Sequence, residues 1–138
     1  MVTLPIVWQR LVAETGKTCP RCDGTYSQLA GAVATLRGVL APLDIEPVLT
    51  VKELDDATFR SNPNESNRIW IGNKPLEDWL GAQSGSSQCC SVCGDTPCRT
   101  TELSGHVYEE IPGALIIKAA LIAASQLVGE AKPEECCN

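Results

Sequence analysis

Two cysteines in the segment Thr18-Cys19-Pro20-Arg21-Cys22 constrain this chain more than any other feature. The segment lies between a strand-like run, Leu4–Val12, and a long stretch of helical periodicity that begins at Pro20. Proline suits the first position of a helix, where its missing N–H would have no partner. A Cys-x-x-Cys pair at a strand-to-helix junction is typical of a redox-active dithiol, and half of a metal site is the alternative. The sequence therefore predicts thiol chemistry at the start of a helix.

The order of the predicted elements indicates an α/β fold. These elements are strands at 4–12 and 45–52, helices at 20–41 and 53–60, a hairpin of strands at 68–71 and 74–80 around Gly72-Asn73, and a helix at 112–128. Two strands joined through a helix pair in parallel, whereas a hairpin adds antiparallel strands. We therefore expect a central mixed four-stranded sheet with flanking helices. Asp55-Asp56 is expected to start the short helix, and the three tryptophans to pack in strands.

A chain of 138 residues is long enough for one hydrophobic core. We predict a single domain over residues 1–130 that carries a Cys-rich loop at 81–100, followed by a flexible C-terminal tail at 131–138. Within the loop, the Gly- and Ser-rich part at 81–88 is expected to be flexible. A polar connection is expected to run from there through Tyr108.

The composition of the chain indicates its cellular compartment and excludes some classes of partner. The chain has eight cysteines but no N-terminal signal-peptide pattern, which predicts a cytoplasmic protein whose thiols stay reduced. A net charge of -6 argues against a nucleic-acid partner, because phosphate binding requires lysine and arginine. The longest apolar stretch is interrupted by Lys118 and is too short to span a bilayer, so no membrane association is expected.

The chain resembles known families in several motifs. Strand, Cys-x-x-Cys helix, strand, short helix, hairpin and final helix is the element order of the thioredoxin-like fold, and the segment Ser66–Leu76 is similar to the glutaredoxin segment that enters the third strand. The whole chain more specifically resembles an uncharacterised bacterial thioredoxin-like family with an N-terminal Cys-x-x-Cys, through the segments Leu76–Leu80 and Tyr108–Pro112. The resemblance implies a thioredoxin-like fold. Thioredoxins and glutaredoxins carry a cis-proline where this chain has Asn67 and Arg68, a departure that weighs against ordinary dithiol exchange.

The first functional hypothesis is a thiol-disulfide oxidoreductase that acts on protein or small-molecule thiols and disulfides and requires no cofactor. Cys19 is the expected nucleophile, held as a thiolate by the helix dipole and by Lys17 and Arg21, and Cys22 is expected to resolve the mixed disulfide. The second hypothesis is a protein that binds a soft metal or metalloid, such as Zn²⁺, Hg²⁺ or arsenite, through the same thiols.

A second cluster of thiols comprises Cys89, Cys90, Cys93 and Cys98. Four thiolates at this spacing can surround a tetrahedral ion such as Zn²⁺, and a second, redox-relay disulfide is the alternative. The expected antiparallel third strand begins at the sheet edge where the first strand ends, and the fourth returns to that edge. We therefore expect this cluster and the Cys19–Cys22 pair to lie at the same end of the molecule.

Cys136-Cys137 near the C-terminus resembles the vicinal pair of mercuric reductases, which transfers Hg²⁺ inward from a mobile tail. An incidental exposed pair is the alternative. His106, the single histidine, is expected to be an ordinary loop residue rather than a ligand.

Overall fold

The computed structural model describes residues 2–11, 20–87 and 98–130. Seven strands are described: β1 Val2–Leu11, β2 Ile45–Leu54, β3 Arg68–Ile71, β4 Lys74–Pro75, β5 Gln83–Ser87, β6 Cys98–Leu103 and β7 His106–Tyr108. Four α-helices accompany them: α1 Pro20–Leu40, α2 Asp56–Ser61, α3 Leu76–Leu80 and α4 Gly113–Glu130. Short 3₁₀ turns occur at Ala41–Leu43 and Pro63–Glu65.

The predicted mixed four-stranded sheet is confirmed, with strand order β2-β1-β3-β4. β1 and β2 are parallel along their whole length, from the pair Val2 and Ile45 to the pair Leu11 and Leu54. β3 is antiparallel to β1 and begins at Arg68, opposite Gln9. The ends of β1 and β2 and the start of β3 therefore lie at one edge, which we call the carboxyl edge.

One face of this sheet forms the hydrophobic core. Leu4, Ile6 and Trp8 alternate along β1 and are buried, whereas Val7 and Gln9 on the opposite face are half-buried. Helices α1 and α4 pack against each other over the buried face. The buried face of α4 is mostly alanine, and small side chains allow a close approach between helices. None of the described helices is long and apolar enough to cross a membrane.

The helix start at Asp55 is confirmed. Its carboxylate accepts a hydrogen bond from the Thr58 backbone N–H at 2.7 Å, which caps α2. Hydrogen bonds from the Thr58 hydroxyl and backbone hold the pKa of Asp55 below its ordinary value.

The hairpin at Gly72-Asn73 is confirmed, but its second strand is shorter than predicted. Both turn residues have positive φ, 59° and 66°, as the tightest two-residue hairpins require. The strand predicted at 74–80 ends at Pro75, and Leu76–Leu80 forms α3. Acidic residues in the first turn and Gly81 after the last are helix signals that outweigh the apolar content of this segment. Trp79 therefore lies in a helix, where its indole N–H donates to the Ile71 carbonyl at 2.7 Å.

A second, three-stranded sheet corrects two further predictions. The segment predicted to be flexible at 81–88 contains β5, and the predicted polar connection through Tyr108 contains β6 and β7, so the predicted loop at 81–100 is partly strand. β5 is polar throughout, and its pairing with β6 rather than its own side chains explains why it is extended. Ser104-Gly105, with φ of 53° and 82°, forms the tight turn between β6 and β7, so His106 lies in a strand.

A buried ion pair joins the second sheet to α3. Arg99 Nη2 lies 2.7 Å from Glu77 Oε1, and each side chain is 6% exposed. The Thr101 hydroxyl donates to the same carboxylate oxygen at 3.2 Å. Because a buried charge without its partner is strongly unfavourable, this pair fixes β6 against α3.

We expect Glu77→Leu and Arg99→Met each to lower the free energy of unfolding by about 3–5 kcal/mol, because each leaves an unpaired buried charge. The double variant removes both charges, so its loss is expected to be smaller than the sum of the two single losses. Denaturant unfolding of the four proteins measures both quantities. Additivity within about 0.5 kcal/mol would show that the two charges do not stabilise each other.

Candidate functional site

A buried polar cluster lies at the carboxyl edge around the side chain of Asn67, which is 3% exposed. The Trp8 indole N–H donates to Asn67 Oδ1 at 3.0 Å, and Asn67 Nδ2 donates to Thr25 Oγ1 at 3.0 Å. Thr25 Oγ1 also accepts from the backbone N–H of Ile111 at 3.1 Å. An indole N–H can only donate, so Asn67 must turn its oxygen to Trp8 and its amide nitrogen to Thr25. We call Trp8, Thr25 and Asn67 the polar node.

The polar node joins four parts of the chain that are distant in sequence. Trp8 belongs to β1, Thr25 to the second turn of α1, Asn67 to the entry of β3, and Ile111 to the segment before α4. Asn67 also has a left-handed backbone with φ of 53°, which asparagine adopts more readily than most residues. The start of α1 is therefore fixed to the central sheet by side-chain hydrogen bonds as well as by apolar packing.

The 3₁₀ turn Pro63–Glu65 connects the same edge to the second sheet. Gln9 donates to the Glu65 backbone carbonyl at 2.7 Å and to its carboxylate at 3.0 Å. Arg99 Nη1 donates to the Asn64 carbonyl at 2.6 Å. The beginning of β6 therefore lies beside the turn that leads into β3.

The predicted thiol residues are only partly covered by the described residues. Cys22 and Arg21 belong to the first turn of α1, three or four residues before Thr25 in the same helix, and the side chains of both lie outside what is described. Cys98 is the first residue of β6 and pairs with Ser87 of β5. The other six predicted thiols lie outside the described residues, as does Lys17: Cys19, Cys89, Cys90, Cys93, Cys136 and Cys137.

The described backbone brings the flanks of both thiol segments to one edge. Cys22 is connected through Thr25 to Asn67, and Cys98 through Arg99 to Asn64, three residues before Asn67. The meeting of all six thiols at this edge stays a prediction. Within the described residues, no group of three or more histidine, cysteine, aspartate or glutamate side chains is arranged to hold a metal ion.

The carboxylate of Glu110 lies against the first turns of α1. It occupies the space that a side chain at Gly24 would need, two residues after Cys22. Glycine at this position therefore allows the close approach of an acidic group to the thiol-bearing end of the helix.

A groove of about 350 Å³ opens beside the same helix end, and it is lined by Trp8, Arg10, Asp23, Tyr26, Val51 and Glu53. Asp23 follows Cys22 directly, and Arg10 and Glu53 are paired across the last residues of β1 and β2. The edge beyond the carboxyl ends of parallel strands is a common position for ligand sites in α/β proteins. The groove therefore lies at the carboxyl edge, beside the first turn of α1.

Comparison with known proteins places the chain in a family. The model of a domain of unknown function, DUF2703, matches residues 4–120. The chain belongs to the DUF2703 family. An uncharacterised protein of Archaeoglobus fulgidus is 41% identical over 113 residues, which are 82% of each chain. No solved structure matches the chain. The match to DUF2703 begins at Leu4 in β1 and ends within α4, so it includes the polar node and the groove.

Sequence reasoning on this DUF2703 chain named Asn67 but missed its partners. Thr25 in α1, Trp8 in β1 and Glu110 before α4 come from three separate segments, and no local motif marks the contacts that bring them to the start of α1. The alternation of Trp8 and Arg10 on one face of β1 was a usable signal for the groove. Paired residues of two parallel strands lie on the same face of the sheet. The register of β1 and β2 therefore places Glu53 beside Arg10.

We expect Thr25→Val to lower the free energy of unfolding by about 1–3 kcal/mol, because the buried Ile111 N–H loses its acceptor. Asn67 Nδ2 keeps only its 3.5 Å hydrogen bond to the Glu109 carbonyl. Thr25→Ser keeps the hydroxyl and is the matched control, with a smaller loss. Hydrogen exchange of the Ile111 amide, measured by NMR, should accelerate in the valine variant only. Equal exchange in both variants would show that the Thr25 hydroxyl does not hold this amide.

Proposed function

We propose that the chain is a thioredoxin-like thiol-disulfide oxidoreductase in which Cys19 attacks and Cys22 resolves. The element order supports the fold assignment: a parallel β1-α1-β2 unit, a short helix, an antiparallel hairpin and a final helix. In this proposal the protein works in the cytoplasm, where its dithiol is kept reduced.

The position of Cys22 in the first turn of α1, at the carboxyl edge, is the observation that carries the proposal. The first turn of a 21-residue helix has unpaired N–H groups and a partial positive charge, both of which stabilise a nearby thiolate. Asp23 and Glu110 bring negative charge to the same end. The helix dipole and Arg21 must outweigh these acids for Cys19 to react as a thiolate near neutral pH.

Asn67 acts as a positioning residue in this proposal. Its side chain is turned inward to Trp8 and Thr25, and it stands where thioredoxins carry their cis-proline. The hydrogen bond to Thr25 fixes the second turn of α1 relative to β1, and so it sets where the preceding thiols emerge. The node therefore supports the dithiol without contacting a substrate.

Cys22→Ser is expected to trap a mixed disulfide through Cys19, because the resolving thiol is missing. Mass spectrometry after incubation with a disulfide should show a stable adduct on this variant and none on the wild type. Cys19→Ser is the matched control and should form no adduct at the pair. If neither variant accumulates an adduct, the oxidoreductase proposal is wrong.

A second candidate function is binding of a soft metal ion or metalloid, such as Zn²⁺, Hg²⁺ or arsenite. It is favoured by the pairing of Ser87 with Cys98. These residues are neighbours across two strands, so residues 88–97 connect adjacent strand ends. Cys89, Cys90 and Cys93 therefore belong to a short closed connection that also ends in a cysteine. Four cysteines within one such connection fit the ligand number of a tetrahedral thiolate site.

For this candidate we expect one Zn²⁺ per chain in protein purified without air, lost in Cys90→Ser and in Cys93→Ser. Both variants should have a lower melting temperature in zinc-containing buffer, because metal binding stabilises the folded state. Elemental analysis measures the metal, and Cys22→Ser is the control that should retain it. Full zinc content in the two loop variants would assign the metal elsewhere.

A further inference from the structure

The groove beside α1 combines a cation and two carboxylates with unused hydrogen-bonding capacity. Arg10 Nη2 lies 3.2 Å from Glu53 Oε1, and this is the only hydrogen bond of its guanidinium to a described residue. The guanidinium has five N–H donors, so most of them have no acceptor among the described residues. The Asp23 carboxylate has no hydrogen bond within the described part of the chain. The groove therefore presents an acceptor and several donors to a ligand.

The lining of the groove also has an apolar part. Tyr26 is 45% exposed, and its ring centroid is 5.4 Å from that of Trp8. Val51, on the adjacent strand, is 40% exposed. A volume of about 350 Å³ is near the lower limit for small-molecule sites, which suits a ligand of amino-acid size with a short apolar arm.

We propose that this groove binds the zwitterionic α-amino-acid end of a low-molecular-weight disulfide, of which cystine is the simplest. Arg10 receives the carboxylate, Asp23 receives the ammonium, and Tyr26 with Val51 contacts the methylene and sulfur atoms. Glu53 keeps Arg10 in place through their hydrogen bond. A multiply charged anion such as a phosphate ester is disfavoured, because Asp23 and Glu53 would repel it.

The inference rests on the proposed function, and the exchange balances without an added reductant. A protein thiolate attacks one sulfur of the small disulfide, whose S–S bond breaks, and the released thiolate takes a proton from water. The second protein thiol then loses its proton and attacks the mixed disulfide, which releases the second small thiol. The protein dithiol is oxidised by two electrons, and one disulfide becomes two thiols.

A series of disulfides on one scaffold tests which charges are recognised. L-Cystine carries both charges, its dimethyl ester lacks the carboxylates, and N,N′-diacetyl-L-cystine lacks the ammonium groups. Prereduced full-length protein is mixed with each probe without air, and the rate of thiol loss is divided by the rate of the same probe with dithiothreitol. This division removes differences in leaving-group reactivity. We expect L-cystine to exceed each blocked probe by about tenfold, equivalent to about 1.4 kcal/mol.

Variants of the groove should abolish one preference each. Arg10→Met is expected to equalise L-cystine and its dimethyl ester, and Asp23→Asn to equalise L-cystine and the diacetyl probe. The ratios compare probes on one protein, so a change in thiol pKa in Asp23→Asn cancels. Arg37→Met, at the other end of α1, and Glu46→Gln, at the other end of β2, are the matched controls and should keep both ratios.

Three results separate the inference from the proposed function. Equal normalised rates for all probes, or a preference for a blocked probe, would overturn the groove assignment and leave thiol exchange standing.

If no probe oxidises the protein, the proposed function fails. Binding of S-methyl-L-cysteine, which cannot exchange, then tests the groove assignment. NMR shifts at the Asp23 and Tyr26 amides that Arg10→Met abolishes would support the assignment, and unchanged amides would overturn it.

Discussion

The buried amide of Asn67 is the constraint on which the geometry of the carboxyl edge depends. Trp8 is 1% exposed, so its indole N–H needs an acceptor inside the protein, and Asn67 Oδ1 provides it. That choice directs Nδ2 to Thr25 and so places a hydroxyl where it can accept the Ile111 N–H. Burying any one of these groups without a partner would lower the free energy of unfolding by about 1–3 kcal/mol. The start of α1, the entry of β3 and the segment before α4 are therefore held as one unit.

The parts of the fold that were predicted correctly have strong local signals. β1, α1 and β2 show clear periodicity, Pro20 marks the helix start, and Gly72-Asn73 marks the hairpin turn. The predictions were wrong where strand pairing or helix-end residues outweigh the composition of a segment. β5 is extended because β6 supplies its hydrogen bonds, although serine and glycine suggest flexibility. Ser104-Gly105 was an overlooked turn signal of the same kind as Gly72-Asn73.

The candidate site was predictable in its chemistry but less so in its surroundings. The Cys-x-x-Cys spacing and the antiparallel third strand were enough to predict thiols at the carboxyl edge, and that placement stays a prediction. The structure describes only the backbone of Cys22, in the first turn of α1. The groove depends on a register between β1 and β2 that brings Arg10 beside Glu53. The approach of Glu110 to Gly24 depends on how the segment before α4 packs. Such contacts join residues far apart in sequence, and periodicity carries no information about them.

The side chain of Arg99 holds the beginning of β6 at the carboxyl edge. One of its terminal nitrogens donates to Asn64 at the carboxyl edge, and the other pairs with the buried carboxylate of Glu77. Moving the beginning of β6 away from this edge would break both interactions and leave the buried carboxylate of Glu77 without its partner. The first residue of β6 is Cys98, so the cysteine-rich connection is anchored beside the turn that precedes Asn67. The same polar node holds the second turn of α1, three residues after Cys22. The second turn of α1 and the beginning of β6 are therefore both held at the carboxyl edge by buried polar interactions.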